Sequence, residues 1–134
     1  MKLTIFTDGG ARGNPGPAGI GVVIKENGRT IKEYGKYIGE TTNNQAEYRA
    51  LISALETAKE MGAEEVNIFM DSELIVKQVK GEYKVKHPGL APLFLKLHNL
   101  RMGFKKFSVA HIRRERNTEA DALVNKAIDE VLKN

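Results

Sequence analysis

The chain reads as an α/β domain, a five-stranded mixed sheet in the order βββαβααβα with helices on both faces. Three observations predict it. The first forty residues fall into three β-rich runs, two of which meet at Asn27-Gly28, a strong hairpin signal. Beyond residue 42, apolar stripes at helical spacing alternate with two further short β-like runs. No repeat, low-complexity tract or linker divides the sequence, so residues 1–134 form one expected domain.

The elements follow in order. Residues 2–8 alternate, 19–26 contain Gly19-Ile20-Gly21-Val22-Val23-Ile24, and 30–38 form the second arm of the Asn-Gly hairpin. A helix is expected from about 43 to 61. Thr42 and Gln45 have capping-box spacing, Leu51, Ala54, Leu55, Ala58 and Met61 form one stripe, and Gly62 stops it. A fourth strand, 65–70, leads into a short helix that Ser72 can cap and Gly81 can end. Residues 90–102 place Leu90, Leu93, Phe94, Leu97 and Leu100 at helical spacing just after Pro88. A fifth strand, 106–112, precedes a last helix with Ala120, Leu123, Val124, Ala127, Ile128 and Val131 on one face.

Composition narrows the class. At 134 residues, 41% hydrophobic and 28% charged, the chain suits a soluble globular domain large enough to bury a core. No apolar run approaches the roughly 18 residues of a membrane span, and no signal peptide is visible. The absence of cysteine removes disulfides and thiolate chemistry and fits a cytoplasmic address. The net charge of +4 hides an asymmetry: residues 77–116 hold eleven Lys or Arg against Glu82 and Glu115, while the remainder is net acidic. A basic segment beside an acidic remainder suits a polyanion held near a metal site.

The acids carry the chemistry. Asp8 ends one apolar run and Asp71 another, Glu47 lies in line with the apolar stripe of its helix, and Asp121 opens the last helix. If the strands before Asp8 and Asp71 are parallel neighbours, both side chains emerge at one carboxyl edge, the usual ligand crevice of open α/β sheets. Glu47, expected in the first turn of its helix, would project toward that edge. Singly, Asp8 and Asp71 also fit turn acids, and Asp121 fits a helix-dipole partner. Glu47 resists such a reading, because an unpaired carboxylate on an apolar face is costly. Clustered carboxylates repel, and cations or altered protonation must relieve them. The pattern points to divalent-metal chemistry on a phosphate.

At these residues the chain resembles the type 1 ribonuclease H family along nearly its whole length. The carrying segments are T-D-G-G-A-R-G-N-P-G-P-A-G at 7–19, T-T-N-N-Q-A-E-Y at 41–48, M-D-S at 70–72 and N-T-E-A-D-A-L-V-N-K-A at 117–127. The resemblance implies a ribonuclease H-like fold and an endonuclease that cuts the RNA strand of an RNA–DNA hybrid. It implies that Asp8, Glu47, Asp71 and Asp121 are the catalytic, metal-binding set, with products carrying a 5′-phosphate and a 3′-hydroxyl. Two Mg²⁺ ions about 4 Å apart would flank the scissile phosphate, with Mn²⁺ a possible substitute. By resemblance, Asp8 and Asp71 are the central ligands, Glu47 serves one ion and Asp121 the other. A monomer is expected, with hybrid as its partner.

Recognition of the hybrid must read RNA 2′-hydroxyls. The expected loop at 9–16 holds Gly9, Gly10, Gly13 and Gly16, whose missing side chains let backbone approach a ribose. Asn14, Asn43 and Asn44 stand where the family places minor-groove contacts, and Thr42 where it helps hold a phosphate of the DNA strand. On their own, the glycines also fit a tight turn and the asparagines a helix cap.

Two departures from the family pattern stand out. Many members have a histidine on the loop before the last acid, but residues 112–117 contain none. His111 belongs to the fifth strand pattern, and Arg114 falls where some shorter-loop relatives also have arginine. Arginine cannot act as a general base near neutral pH, so phosphate binding or product departure is its expected role. Glu115 is a second candidate for metal exchange. The extra helix and cationic loop of some relatives are also absent, with Lys84 and Lys86 as partial substitutes; Tyr83 fits stacking on a nucleotide but is expected to pack under its loop. Glu73 replaces a neutral contact residue. Besides a hybrid endonuclease, the sequence admits an enzyme of the same fold that prefers double-stranded RNA, or a binding module without catalysis. The four intact acids argue against the last.

Overall fold

The computed structural model describes residues 1–133; the expected domain ends one residue later, at Asn134, which lies outside the described residues. Its elements in chain order are β1 (Lys2–Ala11), β2 (Gly16–Glu26), β3 (Arg29–Thr41), α1 (Asn43–Glu60), β4 (Glu65–Met70), α2 (Glu73–Val79), α3 (Ala91–Arg101), β5 (Lys106–His111) and α4 (Thr118–Leu132), with a single 3₁₀ turn at Arg114–Arg116. The sheet order is β3-β2-β1-β4-β5. The β1–β2 and β2–β3 pairs are antiparallel, whereas β1, β4 and β5 run parallel. Asn27 and Gly28 both take positive φ (51° and 79°), as a two-residue hairpin turn requires.

Strand alternation divides the sheet into two faces. Leu3, Ile5, Val22, Ile24, Val66 and Ile68 are fully buried in one core with Tyr48, Leu51 and Leu55 of α1. α3 packs on α1, sealing that side with Leu97. α4 lies on the other face, over β2 and β3. There the sheet offers a floor of glycine: a Cβ on Gly21 would stand 2.2 Å from the Ala120 carbonyl oxygen, and one on Gly35 2.4 Å from that of Leu123. Gly21 and Gly35 are paired across the two strands, so the helix backbone settles onto them directly.

Several expectations need adjustment. The first three strands run further than their apolar runs, to Ala11, from Gly16 and to Thr41, because β1–β2 and β2–β3 pairing continues through the glycine-rich stretch. The expected loop at 9–16 shrinks to the tip of a hairpin. Glu47 lies in the second turn of α1, not the first, since the helix opens at Asn43. The capping box is half formed: Thr42 Oγ1 accepts from the Gln45 amide, while the Gln45 side chain accepts from Thr41 and donates to the Gly89 carbonyl. The α4 stripe ends at Ile128, which faces Gly19 at the limit of the glycine floor, and Val131 is exposed. Tyr83 is 48% exposed instead of packed, with the Lys77 ammonium 5.0 Å from its ring centre.

Candidate active site

Parallel register creates the site. β1 and β4 pair through Phe6 and Phe69, so Asp8 and Asp71 follow at matching heights where the two strands part. Beyond that point β1 keeps only its β2 partner, and Asp8 sits opposite Gly21. α1 crosses above with Glu47 on its inner side. The helix comes so close that a Cβ on Gly9 would lie 2.3 Å from the Ala46 carbonyl. Glycine at 9 is therefore required by internal packing, and its N–H donates to Glu47 Oε1 at 2.7 Å.

Asp8, Glu47 and Asp71 each offer an oxygen within 4.8 Å of the others. Asp8 is 7% exposed and Glu47 6%. Burial and then the charges of Asp71 and Asp121 push the Asp8 carboxyl up to about 8. Burial, followed by the charges of Asp8 and Asp71, holds Glu47 well above the usual carboxylate range, and the Gly9 N–H opposes this. The donors are all hard oxygens, and at Asp8 and Glu47 burial, then neighbouring negative charge, disfavours the ionised form. Such a set fits a divalent cation of the Mg²⁺ kind, which would reverse the penalty.

Asp121 joins from the first turn of α4, half-open to solvent. Arg114 Nη2 lies 4.0 Å from its Oδ1, and Asn125 Nδ2 donates to its Oδ2 at 3.4 Å and to its carbonyl at 3.1 Å. All four acids line one cleft of about 560 Å³ with Gly9, Asn43, Asn44 and Arg114. Asn14 and Thr42 are not part of its wall. Asn14 Oδ1 accepts from the Asn43 N–H at 3.1 Å, and Asn43 Oδ1 accepts from Ala11 N–H at 2.7 Å, which fixes the hairpin tip to the start of α1. Glu115 lines a separate depression with His111, Arg113 and Arg116. Glu73 is paired with Lys77 at 2.8 Å.

Three residues at the site escape the sequence reading. Arg12 and Asn125 also line the cleft and touch, Arg12 Nη2 donating to Asn125 Oδ1 at 3.3 Å. Asn125 is four residues after Asp121, a spacing that places them on one helix face, so this neighbour was findable. Asn117 is buried and donates to Asp71 Oδ2 at 3.3 Å. Its position before a helix suggests only a cap.

Comparison with known proteins adds the following. A family model described as reverse transcriptase-like matches residues 6–127. The bifunctional protein Rv2228c of Mycobacterium tuberculosis is 45% identical over 131 residues, covering 96% of this chain and 36% of that protein. The chain thus spans about a third of the length of that relative. The ribonuclease HI of Halobacterium salinarum is 42% identical over 130 residues, covering 96% of this chain and 65% of that protein. Among solved structures, LC11-RNase H1 in complex with an RNA/DNA hybrid is 54% identical with a TM-score of 0.92, covering 97% of this chain and 99% of that one.

Proposed function

Since the chain belongs to the ribonuclease H family, we propose that it is a metal-dependent endonuclease that hydrolyses the RNA strand of RNA–DNA hybrids and leaves 5′-phosphate and 3′-hydroxyl ends. The observation that carries this reading is the convergence of Asp8, Glu47, Asp71 and Asp121 on one cleft, with three of the four in mutual reach of a single cation. Asp8, Glu47, Asp71 and Asp121 would hold two Mg²⁺ ions, or Mn²⁺ in their place, with Asp8 and Asp71 serving both by resemblance to the family. When bound, such ions supply a water of lowered pKa and neutralise charge on the phosphate.

The chain's own residues do the rest. Packing around Asp8 and Glu47 keeps their oxygens converging on the cleft. Asn43 has its Oδ1 engaged by Ala11, so its Nδ2 is the group left to donate to a ribose hydroxyl. Asn44 can both donate and accept, as a 2′-hydroxyl partner must. Asn14 and the backbone at Gly9 complete the RNA contact, and Thr42 beside the α1 N-terminus takes a DNA-strand phosphate. Arg114, 82% exposed at the cleft mouth, grips phosphate and lets product leave. The exposed Lys84 and Lys86 add charge where a protrusion is missing. The same reading makes residues 1–134 a single catalytic domain and a cytoplasmic monomer.

The direct test is cleavage of end-labelled RNA–DNA hybrid with Mg²⁺, beside RNA–RNA and DNA–DNA duplexes and an EDTA control. Metal-dependent cutting confined to the hybrid's RNA strand is expected. Cutting of RNA–RNA at a similar rate would transfer the chain to a different duplex, and hybrid bound but uncut with either metal would reduce it to a binding module.

A further inference from the structure

On the hydrolase reading above, we infer that Asn117 is a positioning residue that sets the spacing of three of the four carboxylates and thereby the affinity of the cleft for divalent cations. Its Nδ2 donates to the Thr7 carbonyl at 2.9 Å and to Asp71 Oδ2 at 3.3 Å. Its own carbonyl accepts from the Asp121 N–H at 3.1 Å. Thr7 immediately precedes Asp8, so one side chain and one carbonyl tie together β1 where it parts from β4, the residue after β4 and the first turn of α4.

The details exclude an ordinary cap. Asparagine is favoured before a helix because its side-chain oxygen accepts from the first turn. Asn117 makes no such bond; its side chain turns inward and is 1% exposed. Its Oδ1 has no partner although buried, an arrangement that costs stability. Reversing the amide would set that oxygen against both the Thr7 carbonyl and the Asp71 carboxylate, so the N–H partners dictate the orientation. A cap has thus been given up, and a buried acceptor left unmade, for two N–H contacts at the carboxylates. Four acids left to repulsion would spread apart. Asn117 restrains Asp71 with a neutral donor, which adds no positive charge to compete with a cation and leaves the acid its other oxygen. Donors of this kind behind metal ligands typically tune affinity or activity by about 10- to 100-fold.

Asn117→Ala and Asn117→Ser test the idea, serine being well suited to the position before a helix yet too short to reach both partners. The first readout is the Mg²⁺ concentration that gives half of the cation-induced rise in unfolding midpoint, without nucleic acid. The second is kcat and KM for hybrid as Mg²⁺ is varied. Both variants are expected to need about 10- to 100-fold more Mg²⁺ in each assay, with KM for hybrid at saturating Mg²⁺ unchanged. A merely structural asparagine would lower the midpoint equally with and without Mg²⁺ and leave half-saturation where it is, which overturns the proposal. Failure of both variants to fold overturns it as well. If the unmodified protein does not cut hybrid, the hydrolase reading fails, and the unfolding readout still decides whether Asn117 governs cation affinity.

Discussion

Replacing Asp8 with asparagine is expected to stabilise the metal-free protein, and increasingly so as pH rises. In the fold the Asp8 carboxyl keeps its proton up to about 8, for reasons of burial first and of the Asp71 and Asp121 charges second. In the unfolded chain an aspartate loses its proton near ~3.9. Between these limits the folded state binds more protons than the unfolded one, so stability falls with rising pH and levels off above the upper limit. Each unit of pH in that window costs about 1.4 kcal/mol. The accumulated penalty is then about 1.5 kcal/mol at pH 5 and about 4 kcal/mol at pH 7, a large share of an ordinary domain's stability of roughly 5–15 kcal/mol. Asparagine has nearly the same shape and titrates in neither state, so the variant lacks the penalty. Urea unfolding in EDTA at pH 5, 6 and 7 should show its advantage growing by about 1.4 kcal/mol per unit. An advantage that does not change with pH would refute the reasoning, since it would place the destabilisation elsewhere. Added Mg²⁺ should raise the stability of the unmodified protein and close most of the gap, because cations reverse the same repulsion.

Asp71→Asn should lower hybrid cleavage by more than about 100-fold, beyond what loss of a mere supporting residue gives, while gel-shift affinity for hybrid stays close to unmodified; preserved cutting would remove Asp71 from the ligand set. In that inactive background, Arg114→Ala should weaken hybrid binding and reduce the slope of log affinity against log salt by about 1, with stability within about 0.5 kcal/mol of the parent. Unchanged salt dependence would show that Arg114 touches no phosphate. Gly21→Ala would bring a Cβ within 2.2 Å of the Ala120 carbonyl, so α4 must move; a loss of about 1–3 kcal/mol in urea unfolding is expected, together with lower kcat, because Asp121 follows Ala120. Full activity in a destabilised Gly21→Ala protein would show that the placement of α4 is not critical to the site.

What was legible in the sequence divides along a physical line. Asp8 and Asp71 could be read because each ends an apolar run and the parallel pairing of β1 and β4 stops just before them, although β1 itself runs on to Ala11. Glu47 could be read because a carboxylate in an apolar stripe is an energetic anomaly wherever the helix begins, and its true place in the second turn does not weaken that anomaly. The first hairpin was harder. Glycines at 9, 10, 13 and 16 look like a loop in one dimension, yet half of that stretch is strand, and Gly9 is small because the α1 backbone lies against it. Asn117 was hardest. Before a helix, asparagine has an ordinary explanation, and only the direction of the side chain separates a cap from a restraint on Asp71. Glu47 announces itself because it violates a local rule, and Asp8 and Asp71 because pairing brings two run ends together. Asn117 obeys a local rule in sequence and breaks it in space. The residues that hold repelling acids together will therefore tend to sit at helix starts and strand ends, where a helix start, a strand end and the acids meet. At this cleft that junction is Asn117, whose two N–H contacts and one carbonyl reach Thr7, Asp71 and Asp121 at once.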